Sequence, residues 1–369
     1  QGYRRYYGSL DRFVGRNFNS AREYFSLANL PLLISLRPLV KHYAETSRRF
    51  RDPRLRAAFS FQNMYLGLSP YDAPATYTLL QYTELAEGVW YPRGGMYGVV
   101  ESLLAIAEGY GAQFEYNTPV EHIDVEGSRA VGVTLEGGER LPADIVIANA
   151  DLPYAYGCLL PSDPAAARIE RLRHTSSALM FYWGVRGERS PQLLHHNVFL
   201  SEHRYEASFR DIFSGHTLPA EPSFYIHAPV RTAPTFAPPD HDALMVLVPT
   251  GHLDEAQTQD WPALQERAKQ WAIERLEAIG VEAVRERTTF ERTITPPDYR
   301  RIWNLSKGAA FGLSHNLMQV GYLRPKNRHA TYGNLYFVGA STHPGTGVPM
   351  VLLSAQLVTE RVLEEQAGA

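Results

Sequence analysis

The residues best placed to do chemistry lie near the end of the chain. Gly339, His343, Gly345 and Gly347 fall in a Gly/Pro loop between a short apolar strand and an amphipathic helix opening near Pro349. A strand that feeds a loop and then a helix N-terminus aims backbone N–H groups, and the positive helix end, at something electron-rich. Val351, Ala355, Val358 and Val362 recur at helical spacing, which predicts that helix. Gly345, Thr346 and Gly347 resemble the opening of a dinucleotide fingerprint. Met350 stands where its third glycine belongs, and too few residues follow for a βαβ unit. Taken alone, the segment reads more simply as a glycine-rich turn before a core helix.

Other chemistries lack their spacing. His195, His196 and His203 do not form a His-Glu-x-x-His zinc pattern, and the single cysteine, Cys158, excludes a cysteine-rich metal site. No metal is expected. No Gly-x-Ser-x-Gly elbow occurs, and Ser306 with Lys307 lacks the spacing of a Ser-x-x-Lys pair.

The elements that must position these residues can be read coarsely. Residues 1–85 read mainly as helices broken at Pro31, Pro38, Pro53, Pro70 and Pro74. A turn at 90–96 precedes a helix over 97–109. Val131, Val133 and Leu135 alternate into Gly137 and Gly138, a hairpin signal, and 143–150 is a short buried strand ending in a polar turn. Strand-like runs follow at 178–185, 223–228 and 243–249, with a helix over 261–279. At 369 residues the chain has room for two lobes, and without repeats or low-complexity linkers these should be interleaved.

Composition narrows the setting. The chain is 44% hydrophobic and 20% charged with a net charge of −3, and its lone cysteine fits a reducing compartment. No apolar run reaches the roughly 18 residues of a spanning helix, and no signal-peptide pattern opens the chain. Residues 1–56 hold twelve Lys/Arg against four acids. Tyr3, Tyr6, Tyr7, Phe13, Phe18, Tyr24 and Phe25 are interleaved among those bases, and 30–36 is apolar. Such a stretch suits an anionic bilayer surface, and equally a solvated helical face. Nucleic acid is not an expected partner, since no recognised module appears.

Five separate strings, in order and sensibly spaced, carry a resemblance. They are 64–77 (MYLGLSPYDAPATY), 79–95 (LLQYTELAEGVWYPRGG), 223–229 (SFYIHAP), 303–308 (WNLSKG) and 337–345 (FVGASTHPG). From about residue 45 onward the chain resembles the phytoene desaturases of bacteria and fungi. The resemblance implies an α/β (α+β) flavin-containing amine-oxidase/desaturase-like fold. It implies a helical, membrane-facing part of a substrate lobe at 1–90, part of an FAD-binding lobe at 91–155, the substrate lobe at 156–325 and a closing FAD segment at 326–369. Family members open with a Gly-x-Gly-x-x-Gly βαβ unit for the FAD pyrophosphate, which is missing here. The expectation is that the full reading frame encodes it upstream of Gln1, making this chain an N-terminal truncation.

The resemblance also implies a site. Val120 would pass the adenine, and Ala148, Asn149 and Ala150 would close over the adenosine side. Gly339 and Ala340 would lie by the ribityl–pyrophosphate path, and Gly347, Val348 and Met350 by the pyrimidine end of the flavin, where His343 could approach the ring. The implied reaction on phytoene and partly desaturated carotenoids sends a hydride from an allylic carbon to flavin N5 and a proton from the neighbouring carbon to a base. Reoxidation would be by a quinone or oxygen. Asp52 and Arg56, in a segment similar to one lining the substrate side, are the acid–base candidates; an i,i+4 helix ion pair is the plainer account of them. A cytoplasmic enzyme bound peripherally to membrane is expected. The alternatives are a ketolase, an isomerase or another carotene desaturase of the same fold, or a non-catalytic carotenoid- or lipid-binding remnant.

Overall fold

In the computed structural model, Asn17 and residues 20–35, 37–160 and 162–367 are described. The aromatic and basic residues Tyr3, Arg4, Arg5, Tyr6, Tyr7, Phe13 and Phe18 lie outside that set.

The largest sheet is built around β5 (Ser177–Arg186), a central strand whose apolar run from Ala178 to Trp183 is buried at every position but Tyr182. With β6 (His196–Phe199), β7 (Phe224–His227), β8 (His241–Thr250) and β9 (Thr288–Ile294) it forms an antiparallel sheet in the order β6-β7-β8-β5-β9. One face carries Leu179, Phe181 and Trp183 of β5, Ile226 of β7, and Val246 and Val248 of β8. Against it packs the helix Trp261–Ala278, burying Ala268, Ala272, Ile273 and Leu276. The expected strands at 178–185, 223–228 and 243–249 and the helix at 261–279 all form. The two edge strands, β6 and β9, escaped sequence reading because their residues are mostly polar and half exposed.

A second layer begins with the meander of β1 (Val120–Glu126), β2 (Arg129–Leu135) and β3 (Arg140–Pro142), turning through Gly137 and Gly138 as expected. Beside it β4 (Val146–Ala148) runs parallel to β10 (Leu335–Phe337) across a sequence separation of nearly the whole second half of the chain. Asn334, 1% exposed, staples the two parts together. Its Oδ1 accepts from Ala130 N at 2.9 Å, and its Nδ2 donates to Ala130 O at 2.7 Å and Asp144 O at 2.6 Å. Ile123, Ala130, Val146, Leu152, Leu335 and Phe337 share one core.

Two sequence expectations are corrected. Pro31 and Pro53 do not break helices but sit in the first turns of Leu30–Ser35 and Pro53–Ala58, where a missing N–H costs nothing. On the closing helix Val348–Ala367, Ala355 is exposed and the buried seam is Ser354, Leu357 and Val358. Ser354 turns inward because the preceding loop needs its hydroxyl, which donates to His343 O at 3.0 Å. The helix Gly95–Gly109 buries only Gly95, leaving Met96, Val100, Leu103 and Ile106 exposed.

Candidate functional site

The pairing of β4 with β10 decides the site. Both strands end at the same level, with Phe337 opposite Ala148 and Val338 N donating to Ala148 O at 3.1 Å. The turn 148–150 therefore meets the glycine loop: Asn149 Oδ1 lies 3.1 Å from where a Cβ on Gly339 would stand. Val120 at the start of β1 packs on the same core as Ala148 and Phe337. Gly347, Val348 and Met350 lie at the far end of the loop, at the first turn of the 20-residue closing helix. Gly347 has φ +107°, and among the described residues a Cβ there would meet nothing within 4 Å beyond its chain neighbours. The loop thus presents open space, a backbone without a side chain and a helix N-terminus together, an arrangement that fits a planar, electron-accepting ring with an anionic edge.

Three residues hold this loop, and none was singled out from sequence. The first is Asp151, whose Oδ1 accepts from Ser341 Oγ at 2.6 Å and whose Oδ2 accepts from Ser306 N at 2.9 Å. Burial pushes its carboxyl up, and those two hydrogen bonds oppose the shift. Gly312 has to be a glycine for this contact, since a Cβ would reach within 2.3 Å of Ser341 Oγ. The second is Arg324, 1% exposed. Its guanidinium donates to Thr342 O (2.9 Å), Ser314 O (2.9 Å), Gln319 O (3.0 Å), Leu313 O (3.2 Å) and Ala340 O. Burial lowers its pKa to about 10, so it stays charged at neutral pH inside a cage of carbonyl dipoles. The third is His315, whose Nε2 accepts from Thr346 N at 3.0 Å while its carbonyl accepts from Tyr77 OH at 3.1 Å. Burial first, then the charge of Arg324, keeps that imidazole neutral. No local pattern marks an arginine or histidine as a loop clamp; only Asp151, adjoining Ala150, had a neighbour already under suspicion.

Asp52 and Arg56 do not pair. Pro53 at the first helical position makes Asp52 the N-cap, so its carboxylate accepts from Arg54 N at 2.8 Å and binds the Arg54 guanidinium at 2.9 Å. Arg56 Nε instead donates to Phe50 O at 2.8 Å. The Asp52 carboxyl lies below its usual range because of these contacts with Arg54. His343 is buried, its backbone N donating to Pro325 O at 3.0 Å. The loop holding Asn304, Leu305, Ser306 and Lys307 lines a cavity of about 1220 Å³. Among the described residues no group of three or more His, Cys, Asp or Glu is placed to hold a metal ion, and no helix is long and apolar enough to cross a membrane.

With this geometry in place, comparison with known proteins is informative. Residues 3–363 match the family model for flavin-containing amine oxidoreductases. The chain is 46% identical over 365 residues to a zeta-carotene-forming phytoene desaturase of Myxococcus xanthus, covering 98% of this chain and 70% of that protein. It is 42% identical over 382 residues to a phytoene desaturase of Neurospora crassa, covering 99% of this chain and 63% of that one. The chain thus spans roughly two thirds of the length of these relatives. Among solved structures, an oxidoreductase from Methanosarcina mazei superposes with a TM-score of 0.59 at 16% identity, over 93% of this chain and 75% of that one. Wild-type putrescine oxidase bound to putrescine gives 0.55 at 14%, over 100% and 76%. These two likenesses concern the fold alone.

Proposed function

Since the chain belongs to the flavin-containing amine oxidoreductases and, within them, to the phytoene desaturases of bacteria and fungi, we propose that it serves FAD-dependent desaturation of phytoene in carotenoid biosynthesis. The observation that carries the reading is the open, side-chain-free front of Gly347 at the first turn of the closing helix. FAD bound there would supply a two-electron acceptor for the hydride of an allylic carbon. Gly347, Val348 and Met350 would hold the ring end, and Gly339, Ala340 and the turn 148–150 the chain toward the adenosine. In this proposal 91–155 and 326–369 make the FAD lobe, while 1–90 and 156–325 serve the substrate. The exposed apolar face of Gly95–Gly109 suits packing against a nucleotide-binding βαβ unit. Asp52 and Arg56 are the proposed acid–base residues, acting separately because Arg54 and not Arg56 holds the Asp52 carboxylate, with a quinone or oxygen as the final acceptor of electrons.

The test is to express the chain in a phytoene-accumulating bacterium and follow carotenoids by chromatography and visible absorption. Coloured, longer polyenes formed from phytoene are expected, and Asp52→Asn should lower their yield. Flavin retained with phytoene untouched would overturn the substrate and favour a sister carotenoid oxidoreductase. A colourless protein that still retains carotenoid would favour a binding remnant.

Membrane delivery of a hydrocarbon follows from the same reading. Support comes from Leu27, Ile34 and Leu39, which are 87%, 67% and 83% exposed within a stretch that also carries Arg22, Arg37 and Lys41. Apolar side chains flanked by bases fit the edge of an anionic bilayer, each contributing on the order of 1 kcal/mol. Replacing all three by Ser should weaken co-sedimentation with phosphatidylglycerol vesicles by about tenfold or more. Unchanged sedimentation would remove this surface from the proposal.

A further inference from the structure

The cavity of about 1220 Å³ shares Ser306 and Ser314 with the clamps of the loop, but none of Val120, Ala148, Asn149, Ala150, Gly339, Ala340, Gly347, Val348 or Met350 lines it. Its lining is poorly matched to a hydrocarbon. His174 is 8% exposed, and apart from a contact with the Leu172 carbonyl its ring nitrogens have no hydrogen-bond partner. The same holds for His216 Nδ1, Ser176 Oγ and Asn316 Nδ2, all buried atoms of lining residues. Unpartnered buried polar atoms are uncommon in folded proteins, so several around one cavity call for an explanation.

The imidazoles are gathered there by backbone contacts. Gly251 lets the end of β8 lie against His216, where a Cβ would come within 2.1 Å of His216 C. His252 stacks on His216 with ring centroids 4.3 Å apart, and His174 lies 6.1 Å from His252. Leu253 N donates to Lys307 O at 2.8 Å, tying the Lys307 loop to the same wall. Lys307 has no carboxylate partner among the described residues, and its charge acts on all three imidazoles. His252 Nδ1 donates to Leu253 O at 2.8 Å.

Three of the four lining carboxylates have partners of their own, though Asp254 also acts on His216 and His252. Asp254 accepts from Ala256 N at 3.0 Å and Gln257 Nε2 at 2.8 Å, Glu255 pairs with Arg300 at 3.5 Å, and Asp72 lies 3.7 Å from Lys41 Nζ. Glu170 and Arg171 are exposed, Arg301 pairs with Asp298 at 2.8 Å, and Arg173 adds an exposed cation without a carboxylate partner among the described residues. Lining donors therefore come from four segments, with positive charge left over.

We propose that this cavity binds a phosphate-class oxyanion, free or as the headgroup of an anionic lipid, between Lys307, His174, His216, His252 and Asn316. A multidentate oxyanion satisfies donors arriving from several directions and neutralises Lys307. Binding is coupled to protons. Burial first, then Lys307, holds His174 at a pKa of about 4, and burial holds His252 at about 4, so both are neutral at pH 7. A bound dianion opposes those causes and raises both pKa values. Binding then takes up protons and tightens as pH falls below neutral toward about 4, the pKa of the free imidazoles, with Asp254 favouring and Lys307 opposing their charged forms.

The test is calorimetric titration of the 369-residue chain with inorganic phosphate and, separately, with a short-chain phosphatidic acid. Sulfate, whose charge is fixed over that range, gives the pH dependence. Saturable binding is expected. Lys307→Gln should weaken it roughly tenfold or more, as loss of a charged hydrogen bond implies. Asn316→Asp keeps the Oδ1 that accepts from Met318 N at 2.9 Å but removes the donor, and should weaken binding likewise. Binding of phosphatidic acid alone assigns the site to a headgroup, and binding of inorganic phosphate assigns it to the free ion. No saturable binding of either, or binding that either variant leaves unchanged, overturns the proposal and leaves a solvent-filled cavity.

Discussion

Arg324→Met should cost about 3–5 kcal/mol of stability and, in the fraction that folds, abolish flavin retention. Five carbonyl oxygens, from Leu313, Ser314, Gln319, Ala340 and Thr342, lose their donor at once. Each buried acceptor left bare costs about 1–3 kcal/mol, while removal of a buried cation returns part of that sum. The loss falls on the loop because Ala340 and Thr342 belong to it, whereas the other three carbonyls belong to the segment beneath. Urea denaturation measures the first effect, and flavin fluorescence after gel filtration the second. Arg324→Lys keeps the charge but offers three donors on a shorter reach, so it should fall between Met and the parent. A Met variant that unfolds at the parental urea concentration and keeps its flavin would refute the clamp.

Gly347→Val should separate binding from folding. At φ +107° a side chain is strained by about 1–3 kcal/mol, which the rest of the chain can absorb. Among the described residues, chain neighbours aside, nothing lies within 4 Å of the new Cβ, so the added methyls enter open space, here proposed for the flavin ring. Flavin retention should fall by roughly tenfold or more, with a far smaller change in urea midpoint than Arg324→Met causes. Gly345→Ala offers the contrast. Its Cβ would stand 2.5 Å from His315 Nε2, the acceptor for Thr346 N, so fold and flavin should suffer together. Gly333→Ala, whose Cβ finds its nearest atom, Arg328 Nη2, at an ordinary 3.4 Å, should leave both intact. Undiminished flavin retention in Gly347→Val would move the ring away from the closing helix.

The reach of sequence reading can be seen in particular residues. Apolar runs in β5, β7 and β8 and the period of Trp261–Ala278 announced three strands and a helix, though not that they form one covered sheet, because burial leaves its pattern on the local chain. Edge strands β6 and β9, with one side open to water, carry no such pattern. Asp52 and Arg56 were spaced for a pair four apart. The proline between them instead made Asp52 a cap, and a neighbour two residues away took its carboxylate.

The candidate loop divides in the same way. Gly339, Ala340, Gly347, Val348 and Met350 could be named from one contiguous stretch, since a strand, a glycine loop and a helix are local in sequence. Sequence alone determined the family, the central strands, the long helices and the loop. Only the tertiary structure decided what holds the loop in place: the parallel pairing of β4 with β10, the Asp151–Ser341 contact, and the carbonyl cage around Arg324. Those contacts join residues far apart in the chain through single polar groups. A single buried polar group leaves no periodic trace, because its partner is chosen by how distant segments pack and not by the residues beside it.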